Sequence, residues 1–342
     1  MNIILSSERS ESMKNDKIDF VLLWVDGSDE KWLQEKKQYK PDISVSDSII
    51  RFRDWDNLKY WFRGVEKYAP WVNKIYFVTY GHLPKFLNTE HEKLVVVNHK
   101  EFIDKEYLPT YNSNVIDLNL HKIEGLSEKF VYFNDDTFII DKVNPDDFFK
   151  NGLPVEEYSE TPTVPYKTIF PYTMFNNAFL INNHYEKRDV YKKHFSKIFS
   201  WKYGLNNFRT ILSLPYKKFI GFYSAHLPIA FLKTYYEKLW DIEKEACIKT
   251  SKNKFRTKED ITSYTIKIMQ MLEGDFYPRK HNFGKYFVVS NNNKKIINTL
   301  LKQKCKMVCI NDQDEKIDFD KSKKEINNCF EKIFSEKSSF EK

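Results

Sequence analysis

A chain of 342 residues is long enough to bury a sizeable core, as one large domain or as two smaller ones. Its hydrophobic fraction of 41% is ordinary for a globular protein. The net charge of +7, from 55 basic and 48 acidic residues, suits an anionic ligand or an anionic membrane surface. The basic excess is dispersed and no run of Lys and Arg has the form that follows a nucleic-acid backbone, so nucleic acid is not expected as a partner.

Cysteine spacing and the lengths of apolar runs bear on where the chain works. The four cysteines include no CxxC pair, so neither a zinc site nor a disulfide framework is predicted. They are Cys247, Cys305, Cys309 and Cys329. The first 16 residues hold only a short apolar run, and no stretch approaches the ~18 apolar residues of a membrane span. We therefore expect a cytoplasmic protein.

The first half of the chain alternates strand and helix patterns. The apolar runs that predict buried strands lie at 17–25, 74–80, 93–99 and 130–140. A helical pattern follows RFRDWD and stops before Pro70, and a second helix is expected from Ser113. This order predicts an α/β fold with a mixed or parallel central sheet flanked by helices.

The stretch FVYFNDDTFII, residues 130–140, places Asn134, Asp135 and Asp136 inside an apolar run. An ionised carboxylate removed from water costs several kcal/mol or more unless something pairs with it. The stretch therefore predicts a metal, a cationic ligand or a cleft. In α/β sheets ligands bind beyond the carboxyl ends of strands, and Asp26 follows the first strand at that same edge.

The second half of the chain is expected to be mainly helical. Residues 150–172 are rich in Pro, Glu and Thr and predict a long connection or mobile loop before it. His226 precedes a proline and an apolar pattern of helical spacing, so we expect it just before a helix. Arg256 is expected at another helix start, because Thr257 and Asp260 resemble a capping box. Helix starts favour bound anions, and these two predict a phosphate-handling site.

Each of these features also has an ordinary structural explanation. Adjacent aspartates often mark only a strand end followed by a turn. His226 is more often a structural histidine than a base, and Arg256 is more often a solvated surface charge. The residues taken singly leave both explanations open.

Taken in order along the chain, several segments resemble the four sequence blocks of the Stealth family. They are IDFVLLWVDGSDEKW, the stretch from RFRDWDNLKYW to GHLPKFL, the stretch from LPTYNSNVIDL to FVYFNDDTFI, AHLPIAFLKTYYEKLW with NKFRTKEDI, and CINDQ. That family comprises bacterial capsular and exopolysaccharide phosphotransferases and the catalytic part of the eukaryotic lysosomal-enzyme N-acetylglucosamine-1-phosphotransferase. The resemblance runs from about residue 17 to about residue 314.

The resemblance implies transfer of a sugar 1-phosphate from a UDP-sugar, a UDP-N-acetylhexosamine or a UDP-hexose, to a glycan hydroxyl. A phosphodiester forms and UMP leaves, in bacterial capsule or exopolysaccharide synthesis. The fold implied is a variant of the nucleotide-sugar transferase (GT-A-like) fold with a helical second half. A divalent metal, Mg²⁺ or Mn²⁺, is expected. A lipid-linked acceptor and peripheral contact with the inner face of the membrane are further expectations.

Individual roles are carried over by position. The resemblance implies His226 as the catalytic base, Arg256 as an essential Arg, and Asp136 as both a catalytic residue and a metal ligand. Asp135 and Asp312 are implied as further metal ligands. The residues expected to bind substrate around them are Trp24, Asp26, Gly27, Arg53, Arg63, Asn112 and Asn114.

Two other functions stay open at this point. A metal-dependent glycosyltransferase would use a similar Asp cluster but would attack the anomeric carbon and release UDP. A non-catalytic glycan- or nucleotide-binding module could use the same fold, although it would need no base.

The predicted division of the chain has three parts. Residues 1–16 form a flexible N-terminal segment, and 17–314 form the catalytic domain. Within that domain a nucleotide-binding half at 17–149 and a helical acceptor half at 173–314 flank the loop at 150–172. Residues 315–342 form an amphipathic tail, whose apolar face predicts either recruitment to a membrane or docking on the enzyme's own core.

Overall fold

A computed structural model describes residues 17–40, 53–313 and 316–342, so the predicted N-terminal segment at 1–16 lies outside the described residues. The strands are β1 (Ile18–Leu23), β2 (Ile75–Thr79), β3 (Leu94–Asn98), β4 (Lys129–Asn134), β5 (Thr137–Ile139), β6 (Phe149–Lys150), β7 (Leu153–Glu156), β8 (Ile229–Leu232), β9 (Tyr277–Pro278), β10 (Gly284–Val288) and β11 (Met307–Asn311). The α-helices are α1 (Glu30–Tyr39), α2 (Leu58–Tyr68), α3 (His99–Phe102), α4 (Ser113–Leu118), α5 (Phe170–His184), α6 (Lys187–Ile198), α7 (Asn206–Leu212), α8 (Lys233–Ile242), α9 (Lys244–Ser251), α10 (Tyr264–Leu272), α11 (Lys294–Leu301) and α12 (Phe319–Ile333).

The central sheet has five strands in the order β3-β2-β1-β4-β8. The first four are parallel, and β8 runs antiparallel to β4 at the edge. All four predicted strand regions of the first half contribute to this sheet. The prediction of an α/β fold with a mixed sheet flanked by helices is confirmed.

Aromatic side chains fill the space between this sheet and α2. Phe20 on β1 lies at the centre of the group, with its ring centroid 4.8 Å from that of Phe133 and 5.7 Å from that of Phe148. Trp61 of α2 closes over Phe133 at 5.3 Å. Each fully buried Phe stabilises the fold by about 1.5–3 kcal/mol relative to an exposed one. The near-continuous apolar runs in the sequence reflect this burial.

A second, three-stranded sheet has the order β10-β11-β5. Its strand β5 follows β4 after a turn at Asp135 and Asp136, so the stretch read as a single strand contains two strands in different sheets. Strand β8 from the second half of the chain joins the central sheet, and β5 from the first half joins the second sheet. The two predicted halves are therefore interlocked around one core.

The segment predicted as a loop at 150–172 is partly built into the interior. Strand β7 lies within it, and Glu156 and Glu160 are fully buried. Glu160 accepts from the Lys187 ammonium at 2.9 Å, and Glu156 lies 3.0 Å from both Lys267 and Arg279. The acidic character that indicated a loop belongs instead to buried ion pairs, whose basic partners are distant in the sequence.

The two helix starts predicted near His226 and Arg256 are wrong. The residues after His226 form β8, and helix α8 begins only at Lys233. Helix α10 begins at Tyr264, eight residues after Arg256. Asp260 does accept hydrogen bonds from the backbone and the hydroxyl of Thr257, but they close a turn and do not cap a helix.

The C-terminal tail docks on the protein's own core. Phe330 of α12 is fully buried and stacks on Tyr60 at 5.3 Å between ring centroids. Phe340 packs on Phe62 at 5.4 Å. The apolar face of the tail is therefore covered by α2 and is not available to a membrane. No helix in the described part of the chain is long and apolar enough to cross a bilayer.

The Arg63–Glu341 pair, which fastens this tail, predicts a large loss of stability in Glu341→Gln. The two carboxylate oxygens of Glu341 accept from Arg63 at 2.7 and 2.8 Å, and both side chains are more than nine-tenths buried. Breaking the pair from one side leaves the buried Arg63 with only the half-exposed Glu331, 3.4 Å from its Nη1, as a carboxylate partner among the described residues. We therefore expect the free energy of unfolding to fall by about 3 kcal/mol. Urea denaturation measures it.

The matched control is Glu186→Gln. Its partner Lys218 lies at 2.6 Å, but the two side chains are 65% and 51% exposed. An exposed pair contributes under about 1 kcal/mol, so this variant should unfold like the wild type. Equal losses in both variants would contradict the structural role given to the buried pair.

A buried histidine predicts acid sensitivity. Burial lowers the pKa of His99 from 6.5 to about 3, with a smaller contribution from His82. Because the unfolded chain binds the proton more readily, stability is fully present above pH 6.5 and is lost as pH falls toward 3. His99→Phe keeps the edge contacts with Tyr80 and Phe102. We expect urea denaturation to show a loss between pH 7 and pH 5 that is about 2 kcal/mol smaller in this variant. An unchanged pH dependence would contradict the assignment.

Candidate active site

The candidate site lies where strands β1 and β4 end. Leu23 pairs with Asn134 in the parallel register, so Trp24 and Asp135 leave neighbouring strands at the same level. Both strands then end in turns. Strand β1 continues into the loop that carries Asp26 and Gly27, and β4 continues into the turn toward β5. Ligands of α/β sheets bind beyond the carboxyl ends of strands, and we call the space beyond the ends of β1 and β4 the cleft.

Asp136 is the centre of this cleft. Its Oδ2 accepts from the Asn311 amide at 2.8 Å and from the Cys309 thiol at 3.2 Å, and the His226 Nε2 lies 3.7 Å away. Burial alone would raise the pKa of Asp136, but the interactions with His226, Asn311 and Cys309 outweigh it and lower the pKa below its usual value. Asp136 is therefore a carboxylate at neutral pH.

The other oxygen of Asp136 is the feature that fits a bound cation. Among the residues that the structure describes, Oδ1 of Asp136 has no hydrogen-bond partner although it is buried. A buried carboxylate oxygen left in this state is costly unless a ligand completes it. Asp136, His226 and Cys309 each offer a donor atom within 4.8 Å of the others. Asp135 and Asp312 lie outside this group.

The donor set decides how far this group resembles a metal site. Burial, followed by the charge of Asp136, raises the pKa of Cys309 well above its usual value, so it stays a thiol and donates to Asp136. A thiol and an imidazole are unsuited to Mg²⁺, which prefers oxygen ligands. The fit to Mg²⁺ therefore rests on Asp136, with Cys309 and Asn311 orienting its carboxylate.

Asp135 differs from its neighbour. Burial of the carboxyl group and the adjacent carboxylate of Asp136 both raise the pKa of Asp135, to about 7, although the residue as a whole is exposed. At neutral pH the pair therefore carries less than two full negative charges. A cation or a protonated group in the cleft would favour its ionised form.

His226 reaches the cleft from the loop before β8. Its backbone has φ of +48°, a left-handed conformation that is costly for a residue with a side chain and that often accompanies function. The backbone N–H of His226 donates to the Ser224 hydroxyl at 3.3 Å, and Ser224 donates to Tyr264 at 2.9 Å. The ring meets Tyr286 edge-on at 5.6 Å. These contacts aim the imidazole at Asp136.

Arg256 lies on a loop that a network around Asp260 holds in place. Oδ2 of Asp260 accepts from the amides of Asn112 and Asn114 at 2.8 and 3.0 Å, and Arg256 donates to Ser113 between them. Asn112 and Asn114, predicted to line the cleft, are buried in this network. They position the loop of Arg256 and do not face the cleft.

Arg256 also lies close to a buried acid. Burial raises the pKa of Asp117 to about 8, although the Ser263 hydroxyl at 3.1 Å and the charge of Arg256 oppose the rise. Asp117 is thus mostly protonated at neutral pH. Asp117 therefore competes little with an anionic ligand for the guanidinium of Arg256.

Two further predicted residues are paired with each other. Arg53 Nη1 lies 3.5 Å from Oδ2 of Asp312, and its guanidinium sits 5.1 Å from the ring centre of Phe319. Asp312 directly follows Asn311, the residue that binds Asp136. Arg53 is therefore held at the end of β11, next to Asn311.

Of the remaining predicted residues, three lie at the cleft and one lies under the C-terminal tail. Trp24 stacks on Phe77 at 5.6 Å, and the backbone N–H of Asp26 donates to the His82 ring at 2.7 Å. Both stay part-exposed at the cleft, beside Gly27. Arg63 lies elsewhere, since its donors bind Glu341 and the carbonyl of Phe334 under the C-terminal tail.

Cys309, Asn311 and Tyr286 belong to the site but were not predicted from the sequence. A signal for two of them exists, because alternate residues of a strand share a face. Met307, Cys309 and Asn311 alternate along β11, so polar groups gather at one end of that face. Tyr286 offers no comparable sequence signal.

Comparison with solved structures finds distant similarity. One is the galactosyltransferase LgtC with donor and acceptor sugar analogues, at a TM-score of 0.38 and 9% identity, covering 91% of this chain and 95% of that one. Another similar structure is the bifunctional glycosyltransferase WbbM, at a TM-score of 0.36 and 10% identity. The match covers 93% of this chain and 51% of that one. Similarity at this level carries no information about the reaction.

Comparison of sequences is far more specific. The family models for Stealth protein CR1, conserved region 1, and CR2, conserved region 2, match residues 16–44 and 51–155. The capsular polysaccharide phosphotransferase WcwK of Streptococcus pneumoniae is 43% identical over 334 residues, 96% of this chain and 100% of the relative. The exopolysaccharide phosphotransferase cps2G of Lactiplantibacillus plantarum is 41% identical over 95% of this chain and 96% of the relative. The receptor polysaccharide phosphotransferase WefC of Streptococcus gordonii is 36% identical over 95% of this chain and 99% of the relative. This chain belongs to the Stealth family.

Proposed function

We propose that this chain transfers a sugar 1-phosphate from a UDP-sugar to a glycan hydroxyl, forming a phosphodiester and releasing UMP, in capsule or exopolysaccharide synthesis. The names of the relatives support transfer of a phosphorylated group to a polysaccharide. The observation that carries the proposal is the approach of His226 to within 3.7 Å of Asp136 in a cleft at the carboxyl ends of β1 and β4. A base beside a charged carboxylate is what such a transfer needs.

The acceptor hydroxyl attacks the phosphorus that bears the sugar. The bond between this phosphorus and the bridging oxygen of the diphosphate breaks, and UMP leaves with that oxygen. The proton of the acceptor hydroxyl passes to the imidazole of His226. Asp136, which stays ionised, stabilises the imidazolium that forms, so the base accepts the proton more readily.

Asp136 would also hold a divalent cation, Mg²⁺ or Mn²⁺, through its Oδ1, with Asp135 and Asp312 as additional carboxylates of the same cleft. A bound cation would neutralise charge on the diphosphate oxygens. Asn311 and Cys309 hold the carboxylate through Oδ2, so Oδ1 would be available to the cation.

The phosphate groups would meet cationic side chains in the same cleft. Arg256 is presented by a rigid loop, and a guanidinium can donate two parallel hydrogen bonds to a phosphate. Arg53 would serve in the same way if the anionic ligand competes with Asp312. Trp24, Asp26 and Gly27 are the proposed contacts for the uridine and ribose. The acceptor would be a glycan, lipid-linked at the cytoplasmic face of the membrane.

The nucleotide product tests the reaction class. The purified full chain, supplied with a panel of UDP-sugars, Mg²⁺ and a lipid-linked glycan extract, should release UMP. Release of UDP would replace the proposal with an ordinary glycosyltransferase. No nucleotide product from any donor, together with retained donor binding, would replace it with a binding module.

Asp136→Asn should abolish UMP release while leaving the fold intact. Asn keeps the shape but removes the charge that would hold the cation, and the rate should fall roughly a thousandfold or more. Thermal melts should show that UDP-sugar with Mg²⁺ no longer stabilises this variant. Asp146→Asn, an exposed carboxylate, is the matched control and should behave as the wild type. Turnover like the wild type in Asp136→Asn would exclude the metal role.

His226→Gln should separate chemistry from binding. Loss of a general base typically lowers the rate about a hundred- to ten-thousandfold. Stabilisation by UDP-sugar and Mg²⁺ should persist, because the phosphate and cation ligands remain. His281→Gln changes an exposed histidine in the same way and should retain full turnover. If His226→Gln loses ligand stabilisation as completely as Asp136→Asn, the histidine is a ligand and not the base.

A further inference from the structure

Large apolar side chains are exposed in one part of the chain far more often than elsewhere. Nineteen are exposed in the described residues, and eight of these fall between Val190 and Lys218. Among these eight, the most exposed are Phe195, Trp201, Leu205, Phe208, Leu212 and Tyr216. We call the exposed side chains of residues 190–218 the apolar basic surface. Six more lie at 164–179, and the residues flanking the two segments are paired, since the Thr163 N–H donates to the Ile220 carbonyl at 3.1 Å.

Helix α7 turns its apolar face away from the protein. Leu205, Phe208 and Leu212 are spaced three and four residues apart, so they share one side of the helix. They are 79%, 61% and 75% exposed. The opposite side is held by Thr210, which is buried and accepts from the backbone of Glu160 at 3.1 Å. A helix that anchors itself with a polar residue and exposes its apolar face is built to meet an apolar partner.

An open groove extends this surface. Phe195 of α6 and Phe199, just after that helix, line it together with Ile211 of α7 and Leu214. The aromatic rings of Phe195 and Phe199 lie 4.8 Å apart. The two elements therefore form one continuous apolar area, and they do not expose isolated side chains.

The charge of the molecule is concentrated on the same segment. Residues 190–218 contain seven Lys or Arg and no Asp or Glu, which equals the whole chain's net charge of +7. The rest of the chain is neutral overall, so the basic excess is less dispersed than the absence of Lys/Arg blocks indicated. Lys192, Lys193, Lys217 and Lys218 are exposed, and Lys218 also pairs with the exposed Glu186 at 2.6 Å.

We propose that the apolar basic surface binds an anionic lipid bilayer. Trp, Phe and Leu side chains interspersed with Lys are the composition of segments that lie in the interface of a membrane. The lysines meet the negative headgroups while the apolar residues enter the acyl boundary. A second copy of the chain is a poorer occupant, because a symmetric pair would bring two segments of charge +7 together. Membrane binding through this surface requires no particular reaction in the cleft.

Vesicle sedimentation with the full chain tests this surface without any substrate. The protein should sediment with vesicles of phosphatidylcholine and phosphatidylglycerol, and much less with phosphatidylcholine alone or at high salt. Leu205→Ser/Phe208→Ser/Leu212→Ser should weaken binding roughly a hundredfold or more, because each exposed residue loses its transfer into the bilayer. Lys217→Gln/Lys218→Gln should weaken it roughly tenfold or more.

Two exposed leucines elsewhere provide the matched control. Leu83→Ser and Leu301→Ser, each 41% exposed, should leave vesicle binding unchanged. Thermal melts should match the wild type for every variant, since none of the changed side chains is buried. Absence of binding by the wild type, or undiminished binding by the triple variant, overturns the proposal. So does a wild-type dimer that the triple variant dissociates while neither protein binds vesicles. Nucleotide release is a separate readout, so its failure leaves this result standing.

Discussion

The placement of one carboxylate governs the arrangement of the site. Asp136 sits at the turn where the chain passes from the central sheet into the second sheet, and a charge in that position is costly without partners. The partners come from two other elements, with Cys309 and Asn311 on β11 and His226 in the loop before β8. The sheets cannot shift relative to each other without exposing an unpaired charge. Stability and chemistry therefore depend on the same contacts at this junction.

The sequence was sufficient for the sheet but not for the connections around it. Long, near-continuous apolar runs have few alternatives to buried strands, so β1 to β4 could be recognised. Four apolar residues at Ile229–Leu232 could continue either a helix or a strand, and the proline before them favoured the wrong choice. The acids of 150–172 were taken as part of a long connection or mobile loop, since nothing local reveals that Lys187, Lys267 and Arg279 neutralise them. Pairing across such separations is set by the tertiary fold.

The candidate site could also be predicted only in part from the sequence. Asp136 and His226 could be named because their sequence blocks resemble those of a known family, and the structure brings them together. The partners of Asn112, Asn114 and Arg63 could not be predicted, because a polar side chain near a strand end looks the same whether it faces a ligand or a buried partner. Burial distinguishes the two cases, and burial is a property of the folded chain.

The docking of the C-terminal tail bears on how this protein is made. The rings of Tyr60 and Phe62 on α2 are covered by Phe330 and Phe340, almost the whole length of the chain away. During synthesis the ribosome delivers α2 long before its cover, so an apolar strip stays open while more than 250 residues are added. Contacts between such distant residues form slowly, and the uncovered intermediate is prone to aggregate. A chaperone that shields α2 on the nascent chain would meet the requirement that this topology creates.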